Sequence, residues 1–317
     1  MSTPCPQLYI GLMSGTSMDG IDAALVSFSD NLSQTRPKLL QAHSHAWPAD
    51  IHQALITARD IPDDELSSLA SLDLRTAEVF AEACNALLAK TDFSAKDIIA
   101  IGNHGQTIRH RPDIKNPFSL QIGNAERIAE KTGIDVISDF RTADIQAGGQ
   151  GAPLAPAFHQ AVFRNNEVSR VIVNIGGIAN ITVLSKDQSI PATGFDCGPG
   201  NTLMDAWTAK QKQQRFDNDG KFAASGNIDK SLLEKLLADE YLQLAPPKST
   251  GFEYYNLEWL QTYLDDHINL EDVQRTLCVY TARSIIDAID CYATETDEIY
   301  ICGGGVHNPV LMQHIKQ

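Results

Sequence analysis

Five short segments of this 317-residue sequence combine glycine with side chains that bind ligands or move protons. The first lies between two apolar segments, and its members are Gly15, Thr16, Ser17, Met18, Asp19, Gly20, Ile21 and Asp22. Its two glycines allow positive φ, and successive N–H groups in such a turn bind anions. Its two hydroxyls add donors, and its two carboxylates are candidate partners of Mg²⁺. The alternative is an ordinary hairpin turn, and without Gly-Lys-Ser/Thr it is no Walker A loop.

The second segment, 102–107, follows the apolar strand 98–101. Ligands of α/β proteins gather at the carboxyl ends of strands. His104 and Gln106 there carry hydrogen-bonding groups that suit sugar hydroxyls or an amide. The alternative for His104 is a structural hydrogen bond, and nothing nearby decides between the two.

The third segment runs from Gln121 to the polar stretch 139–144. Arg141 is a candidate for a bidentate pair with a substrate carboxylate. Asp144 and its neighbour Asp139 are candidates for binding hydroxyls. The alternative is that these carboxylates pair with Arg141 itself, because all three lie close together in sequence.

The fourth segment, 194–201, places Asp196 at a strand end between glycines that leave room for a ligand. A general base needs access and reach, which such a position provides. The alternative is a turn-capping aspartate.

The fifth segment contains Gly303, Gly304 and Gly305 after an apolar strand, where absent side chains let a nucleotide lie against the backbone. Alone, three glycines are a weak signal.

The elements that position these segments alternate between strand and helix, which predicts an α/β protein. Predicted strands are 9–13, 21–28, 98–101, 135–138, 171–175, 181–184 and 298–302. Predicted helices are 63–90, 124–132, 201–212, 229–238, 256–264 and 270–292, and a last helix starts at Asn308-Pro309. Each half begins with an apolar strand, a glycine turn (Gly176-Gly177 in the second half) and a β-branched return strand, which suggests a duplicated unit.

Composition excludes several classes of protein. Hydrophobic residues make up 43% and the formal net charge is −15, so the protein is a poor candidate for binding nucleic acid or anionic membranes. No segment has the apolar length of a membrane helix, and residues 1–6 have neither the basic region nor the apolar core that is typical of a signal peptide. The six cysteines show no metal-ligand spacing. We therefore expect reduced thiols in a cytoplasmic protein, most of them buried.

Together the motifs resemble the anhydro-N-acetylmuramic acid kinases. The matching stretches are IGLMSGTSMDGIDAALV (10–26), GNHGQTI (102–108), LQIGNAERIAEKTG (120–133), DFRTADIQAGGQGAPLAPAFH (139–159), VNIGGIANIT (173–182), GFDCGPGNTLMDAW (194–207), PPKSTGFEYYN (246–256) and ICGGGVHNP (301–309). They follow in order over nearly the whole chain. The resemblance implies two RNase H-like domains of the actin/hexokinase type around a nucleotide cleft, which we place at 1–135 and 136–317.

The resemblance also implies a compound reaction. Asp196 would activate a water that attacks the anomeric carbon of 1,6-anhydro-N-acetylmuramic acid, while O6 takes the γ-phosphoryl of Mg-ATP. The segment 15–22 matches the phosphate loop of the family, and the glycines on the nucleotide side are Gly176, Gly177, Gly303, Gly304 and Gly305. The candidate sugar ligands are His104, Gln106, Gln121, Arg141 and Asp144, with Arg141 assigned to the lactyl carboxylate; no metal ligand is assigned.

Two departures from the family pattern stand out. Family members continue past the end of this chain with a further strand and helix, so its C-terminal part looks short and we expect an effect on the ATP site. Cys197 stands where the family often has Thr. Two other functions stay open: an ordinary sugar or carboxylic-acid kinase, and a non-catalytic ATP-gated module. The resemblance suggests a homodimer.

Overall fold

A computed structural model describes residues 7–15, 18, 20–28, 37–112, 114–265 and 268–316. The chain divides into two compact units, Met1–Ala152 and Pro153–Gln317. We refer to them as the first and second units.

The first unit contains six strands and four α-helices among its described residues. They are β1 (Gln7–Ser14), β2 (Ile21–Phe28), β3 (Lys38–His45), α1 (Ala49–Ala58), α2 (Ala70–Leu88), β4 (Ile98–Arg111), β5 (Phe118–Ile122), α3 (Ala125–Thr132), β6 (Val136–Ile137) and α4 (Thr142–Gln146). Short 3-10 helices lie at Asp63–Leu69 and Ala95–Asp97.

These strands form one mixed sheet. Its order is β3-β2-β1-β4-β5, with β6 pairing on β4. The pairs β1–β2 and β2–β3 are antiparallel, whereas β1–β4 and β4–β6 are parallel. Leu8, Ile10 and Leu12 alternate along β1 toward the core, as a half-buried strand requires. Phe80, on the buried face of α2, packs in the same core.

The second unit contains four strands and eight α-helices among its described residues. They are α5 (Ala155–Phe163), β7 (Arg170–Ile175), β8 (Ile178–Leu184), β9 (Thr193–Pro199), α6 (Thr202–Lys212), α7 (Lys221–Ala224), α8 (Lys230–Leu237), α9 (Glu240–Gln243), α10 (Leu257–Gln261), α11 (Leu270–Tyr292), β10 (Glu298–Cys302) and α12 (Pro309–Ile315). Short 3-10 helices lie at Asn218–Gly220 and Gly304–His307.

The second sheet repeats the connectivity of the first. Its order is β10-β7-β8-β9, with β7–β8 and β8–β9 antiparallel and β7–β10 parallel. Thus β7, β8, β9 and β10 correspond in order and direction to β1, β2, β3 and β4. The α/β fold class with two RNase H-like units is confirmed, and the repeated strand order supports the suggested duplication.

Helix α11 organises the second core. It begins at Asn269, whose side chain accepts a hydrogen bond from the backbone N–H of Asp272 at 3.0 Å. Its buried face includes Leu277, Tyr280 and Ile285, which pack in the same cluster as the inward side chains of the sheet. None of the helices in the described part of the chain is long and apolar enough to cross a bilayer.

Several boundaries differ from those expected. The predicted helix 63–90 is a 3-10 helix followed by α2, and β4 continues through 102–107 instead of ending before it. Gly105 makes this continuation possible, since it adopts φ +72° where β4 passes close to β5. Residues 136–152, which we placed in the second domain, group with the first unit because β6 pairs with β4.

Candidate functional site

The turn between β1 and β2 forms one end of the first sheet. The N–H of Met18 donates to the carbonyl of Gly15 at 3.0 Å, and the Ser14 hydroxyl oxygen lies 2.8 Å from the carbonyl oxygen of Gly20. Met18 is buried with φ 56°. The turn is therefore tied across its base and anchored by an apolar side chain. Thr16, Ser17 and Asp19 lie outside the described residues.

The rest of the predicted phosphate loop leads into β2. A Cβ added at Gly20 would lie 2.8 Å from the carbonyl oxygen of His45, so glycine permits the close approach of two chains. Ile21 is fully buried. Asp22 is exposed and accepts a hydrogen bond from the Ser44 hydroxyl at 2.7 Å. Its carboxylate is an oxygen ligand of the type that Mg²⁺ prefers.

Gln106 lies beneath this turn. Its side chain is fully buried, and its Oε1 accepts from the Ser14 hydroxyl at 2.7 Å. Its Nε2 donates to the carbonyls of Gly15 and Thr107, both at 3.2 Å. We predicted a sugar ligand here, but both ends of the amide are engaged by protein and no surface is open to a ligand. Gln106 supports the loop.

His104 and Arg141 form a hydrogen-bonded pair in the first unit. The His104 Nδ1 lies 2.9 Å from the Gly105 carbonyl, which can only accept, so Nδ1 carries the proton. Its Nε2 then accepts from the Nε and Nη2 of Arg141 at 3.1 and 2.8 Å. Burial, and next the Arg141 charge, lower the pKa of His104, while the Gly105 contact opposes this. A neutral imidazole thus orients the guanidinium.

The glycine-rich segment after α4 fixes the other side of Arg141. The Nη1 of Arg141 donates to the carbonyl of Gly151, whose N–H donates to the Asp144 carboxylate at 2.7 Å. A Cβ added at Gly149 would lie 2.2 Å from that carboxylate. Asp144 therefore holds this segment through the N–H of Gly151. The sequence had suggested two other partners for it, Arg141 and a sugar hydroxyl.

A polar cavity of about 300 Å³ opens beside β4 and β5. It brings together two predicted sugar ligands, His104 and Gln121. Gln121 donates to the hydroxyls of Ser119 and Thr107 at 2.7 and 3.3 Å. The other polar side chains that line it are Asp73, Asn103, Ser119, Asn124, Ser138, Asp139 and Thr142. Hydroxyls, amides and carboxylates arranged in this way suit a ligand with many hydroxyl and amide groups.

Asp196 lies on β9 in the second unit, at a bulge. The register passes from Ala179 opposite Gly198 to Asn180 opposite Asp196, so one residue of β9 is unpaired. Bulges re-aim side chains and occur often beside active sites. The Asp196 carboxylate is half-buried and accepts from the N–H of Thr250 at 3.0 Å. It combines partial access with a fixed position, as a general base requires.

Two glycine turns of the second unit lie together. Gly303 packs against the backbone of Ile175, where an added Cβ would lie 2.5 Å from the carbonyl oxygen, and Gly305 packs against the Ile175 side chain. Asn201 donates its side-chain N–H to the carbonyls of Ile175 and Gly176 at 3.2 and 3.0 Å. Asn201 directly precedes α6, but its side chain makes no capping hydrogen bond to that helix and fixes the β7–β8 turn instead. The structure thus brings Gly176 and Gly177 close to Gly303–Gly305.

Comparison with known proteins identifies the family. A sequence model of the family described as anhydro-N-acetylmuramic acid kinase matches residues 7–317. The chain belongs to the anhydro-N-acetylmuramic acid kinase family. Its relatives include the anhydro-N-acetylmuramic acid kinases of Shewanella denitrificans and Vibrio vulnificus strain YJ016, 48% and 46% identical over 314 and 313 residues. Each comparison covers 98% of this chain and 83% of the relative.

Solved structures with lower similarity were also found. Component A of (R)-2-hydroxyglutaryl-CoA dehydratase from Acidaminococcus fermentans shares 9% identity at a TM-score of 0.46, covering 98% of this chain and 88% of that one. A ROK family glucokinase from Streptomyces griseus, in complex with glucose and AMPPNP, shares 10% at a TM-score of 0.39, with coverage of 98% and 87%. The fold assignment of this family member rests on its own strand order.

Two site residues of this kinase were missed by sequence reasoning. Thr250 lies within the quoted stretch 246–256, yet its contact with Asp196 spans 54 positions and no local pattern indicates it. Asp73, on α2, accepts from the N–H of Gly123 at 2.7 Å and lines the polar cavity. An isolated aspartate in an amphipathic helix gives no such signal. In the described residues, no group of acidic, histidine or cysteine side chains forms a metal site.

Proposed function

We propose that this chain opens the 1,6-anhydro ring of anhydro-N-acetylmuramic acid by hydrolysis and phosphorylates O6 with ATP in the same reaction. The observation that carries the proposal is membership of the family over 98% of the chain. The anhydro sugar comes from peptidoglycan turnover, so the product, N-acetylmuramic acid 6-phosphate, returns wall material to metabolism. We place the reaction in the cytoplasm, where ATP is available.

Asp196 is the proposed general base. Its carboxylate would take a proton from a water as that water attacks the anomeric carbon, which is how inverting glycosidases use a carboxylate. The C1–O6 bond breaks, and O6 accepts the γ-phosphoryl of ATP with loss of ADP. The proton on Asp196 then returns to solvent. The Thr250 N–H, 3.0 Å from the carboxylate, supports this role because it fixes the direction of the oxygen.

In the first unit, the β1–β2 turn is the proposed phosphate loop. In the second unit, the glycine turns are the proposed contacts of the nucleotide. Backbone space supports this assignment: a Cβ added at Gly304 would meet no atom within 3.7 Å, and one at Gly176 none within 3.4 Å. Side chains there would fill space that a ribose or base needs. Mg²⁺, when bound with ATP, neutralises phosphate charge. Asp22 is the described carboxylate on the phosphate loop that fits this ion.

The sugar would be bound by the first unit. His104 holds the guanidinium of Arg141 in a fixed plane, and a planar cation of this kind suits the lactyl carboxylate. Gln121 and the cavity beside it supply hydroxyl and amide groups for the sugar ring and the N-acetyl group. This arrangement explains how a protein of net charge −15 can bind anionic ligands, because a cation placed at the site attracts an anion locally despite the net charge.

The substitution Asp196→Asn tests the proposal most simply. It preserves the shape and removes the base, so turnover should fall by about 10³-fold or more while ATP binding stays within about twofold. ATP affinity is measured by titration calorimetry on the same preparation. Turnover near the wild-type level would refute Asp196 as the base. The homodimer also stays a prediction, and sedimentation equilibrium on the purified chain tests it.

A further inference from the structure

A segment outside the sheet holds the backbone of Asp196. Strand β9 is last in the order β10-β7-β8-β9, so one of its edges has no strand of the described residues beside it. At Asp196 that edge is covered: its N–H donates to the carbonyl of Lys248 at 3.2 Å, and its carbonyl accepts from the Tyr241 hydroxyl at 2.8 Å. With the Thr250 bond to the carboxylate, the segment 241–250 binds three groups of one residue.

Lys248 closes this segment on itself. Its side chain is 7% exposed, and its ammonium donates to the carbonyls of Tyr241 and Leu242, both at 3.2 Å. The ammonium also lies 4.9 Å from the centre of the Tyr241 ring. These contacts tie the start of the segment to its end and keep the Tyr241 hydroxyl directed at Asp196.

The burial of this cation has an energetic cost. Desolvation lowers the pKa of Lys248, while the charges of Cys197 and Asp239 oppose this shift. Carbonyl dipoles and an aromatic ring compensate the buried ammonium. Burying it still costs more free energy than burying an apolar side chain that fills the same space. The position of Asp196 is what this arrangement secures.

We propose that Tyr241 and Lys248 are positioning residues for Asp196, so that the segment 241–250 sets where the general base lies against the sugar. This inference rests on the proposed function of Asp196. Because Tyr241 touches the backbone of Asp196 and does not reach the carboxylate, it acts through placement. Burial, and next the charge of Asp196, raise the pKa of the Tyr241 phenol, so the hydroxyl is protonated and donates at neutral pH.

The test compares two tyrosine variants. Tyr241→Phe removes the hydroxyl that binds Asp196, whereas Tyr254→Phe removes a hydroxyl that donates to Asp239 at the same distance, 2.8 Å, near the same helix. We expect Tyr241→Phe to lower kcat by roughly 10-fold with both KM values within twofold, because misplacing a base slows chemistry more than binding. Tyr254→Phe should keep the wild-type kcat at a similar melting temperature.

The variant Lys248→Met supplies a second measurement. It keeps the length and burial of the side chain and removes the charge, and we expect kcat to fall by a similar factor with the sugar KM unchanged. Equal kcat values for Tyr241→Phe and Tyr254→Phe, or a rise in sugar KM alone, would overturn the inference. Asp196→Asn, assayed beside them, separates the two proposals: if it is fully active the mechanism fails, and if it is inactive while Tyr241→Phe is normal, only the positioning inference fails.

Discussion

Gln106→Leu distinguishes a loop support from a sugar ligand. The fully buried Gln106 makes three hydrogen bonds, at 2.7, 3.2 and 3.2 Å, to Ser14, Gly15 and Thr107. At about 1 kcal/mol each, leucine should lower the free energy of unfolding by about 3 kcal/mol. At about 2–4 °C per kcal/mol, the first unit should melt about 6–12 °C lower. In the variant, ATP binding must also order the loosened turn. This cost should raise the KM for ATP by roughly 10-fold, which corresponds to about 1.4 kcal/mol.

The assay measures both KM values and the thermal transition for Gln106→Leu and for a matched control, Gln121→Leu. Gln121 is half-buried, lines the polar cavity and bonds only to side-chain hydroxyls. Its substitution should raise the KM for the sugar and leave the KM for ATP and the melting temperature nearly unchanged. If Gln106→Leu raised the KM for the sugar alone at normal stability, the assignment of Gln106 beneath the loop would be refuted.

Three further predictions concern the first unit. Arg141→Ala should raise the sugar KM at least 10-fold and leave the ATP KM within twofold; steady-state kinetics measures both, and an unchanged sugar KM removes the carboxylate assignment. The pKa of His104 in the folded protein lies below its ordinary 6.5, so the unfolded chain binds the proton first and stability should fall as pH drops below 6.5. Urea unfolding at pH 7 and 5.5 should show a larger loss of unfolding free energy for the wild type than for His104→Gln. An equal loss in both proteins would contradict this. Gly105→Ala, with φ +72° and a Cβ 2.6 Å from the Ile122 oxygen, should destabilise by about 2 kcal/mol or more in the same assay, and wild-type stability would exclude strain there.

Regular elements with strong periodicity were predictable from the sequence. Helix α11 has the predicted bounds of 270–292, because its apolar face repeats over many turns and Asn269 gives a clear start. Strand β10 also matches at 298–302. The half-exposed strand β3 was not predicted, since Lys38–His45 alternates weakly and its pairing with β2 is what makes it a strand. Tertiary pairing decided its structure, and local propensity did not.

The candidate site was predictable as a set of segments but not as a set of contacts. The glycine turns are local features that the sequence shows. Asp196 was also indicated by its glycine neighbours, although it lies within β9 at a bulge and not at a strand end. The position of Gln106 depends on the parallel register that places it beside Ser14, 92 positions away. Thr250 and Lys248 reach Asp196 from a segment with no regular pairing to β9. Long-range register and loop paths of this kind leave no periodic trace in one sequence.

The central claim is that ring opening and phosphorylation occur as one reaction with water as nucleophile. The most direct measurement is mass spectrometry of the product formed from 1,6-anhydro-N-acetylmuramic acid and Mg-ATP in ¹⁸O-water, quenched early, beside N-acetylmuramic acid 6-phosphate in the same water as an exchange control. The account predicts a sugar 6-phosphate that carries one solvent oxygen at C1 beyond the exchange level. A phosphorylated sugar that retains the anhydro ring, or one without solvent oxygen, would contradict it.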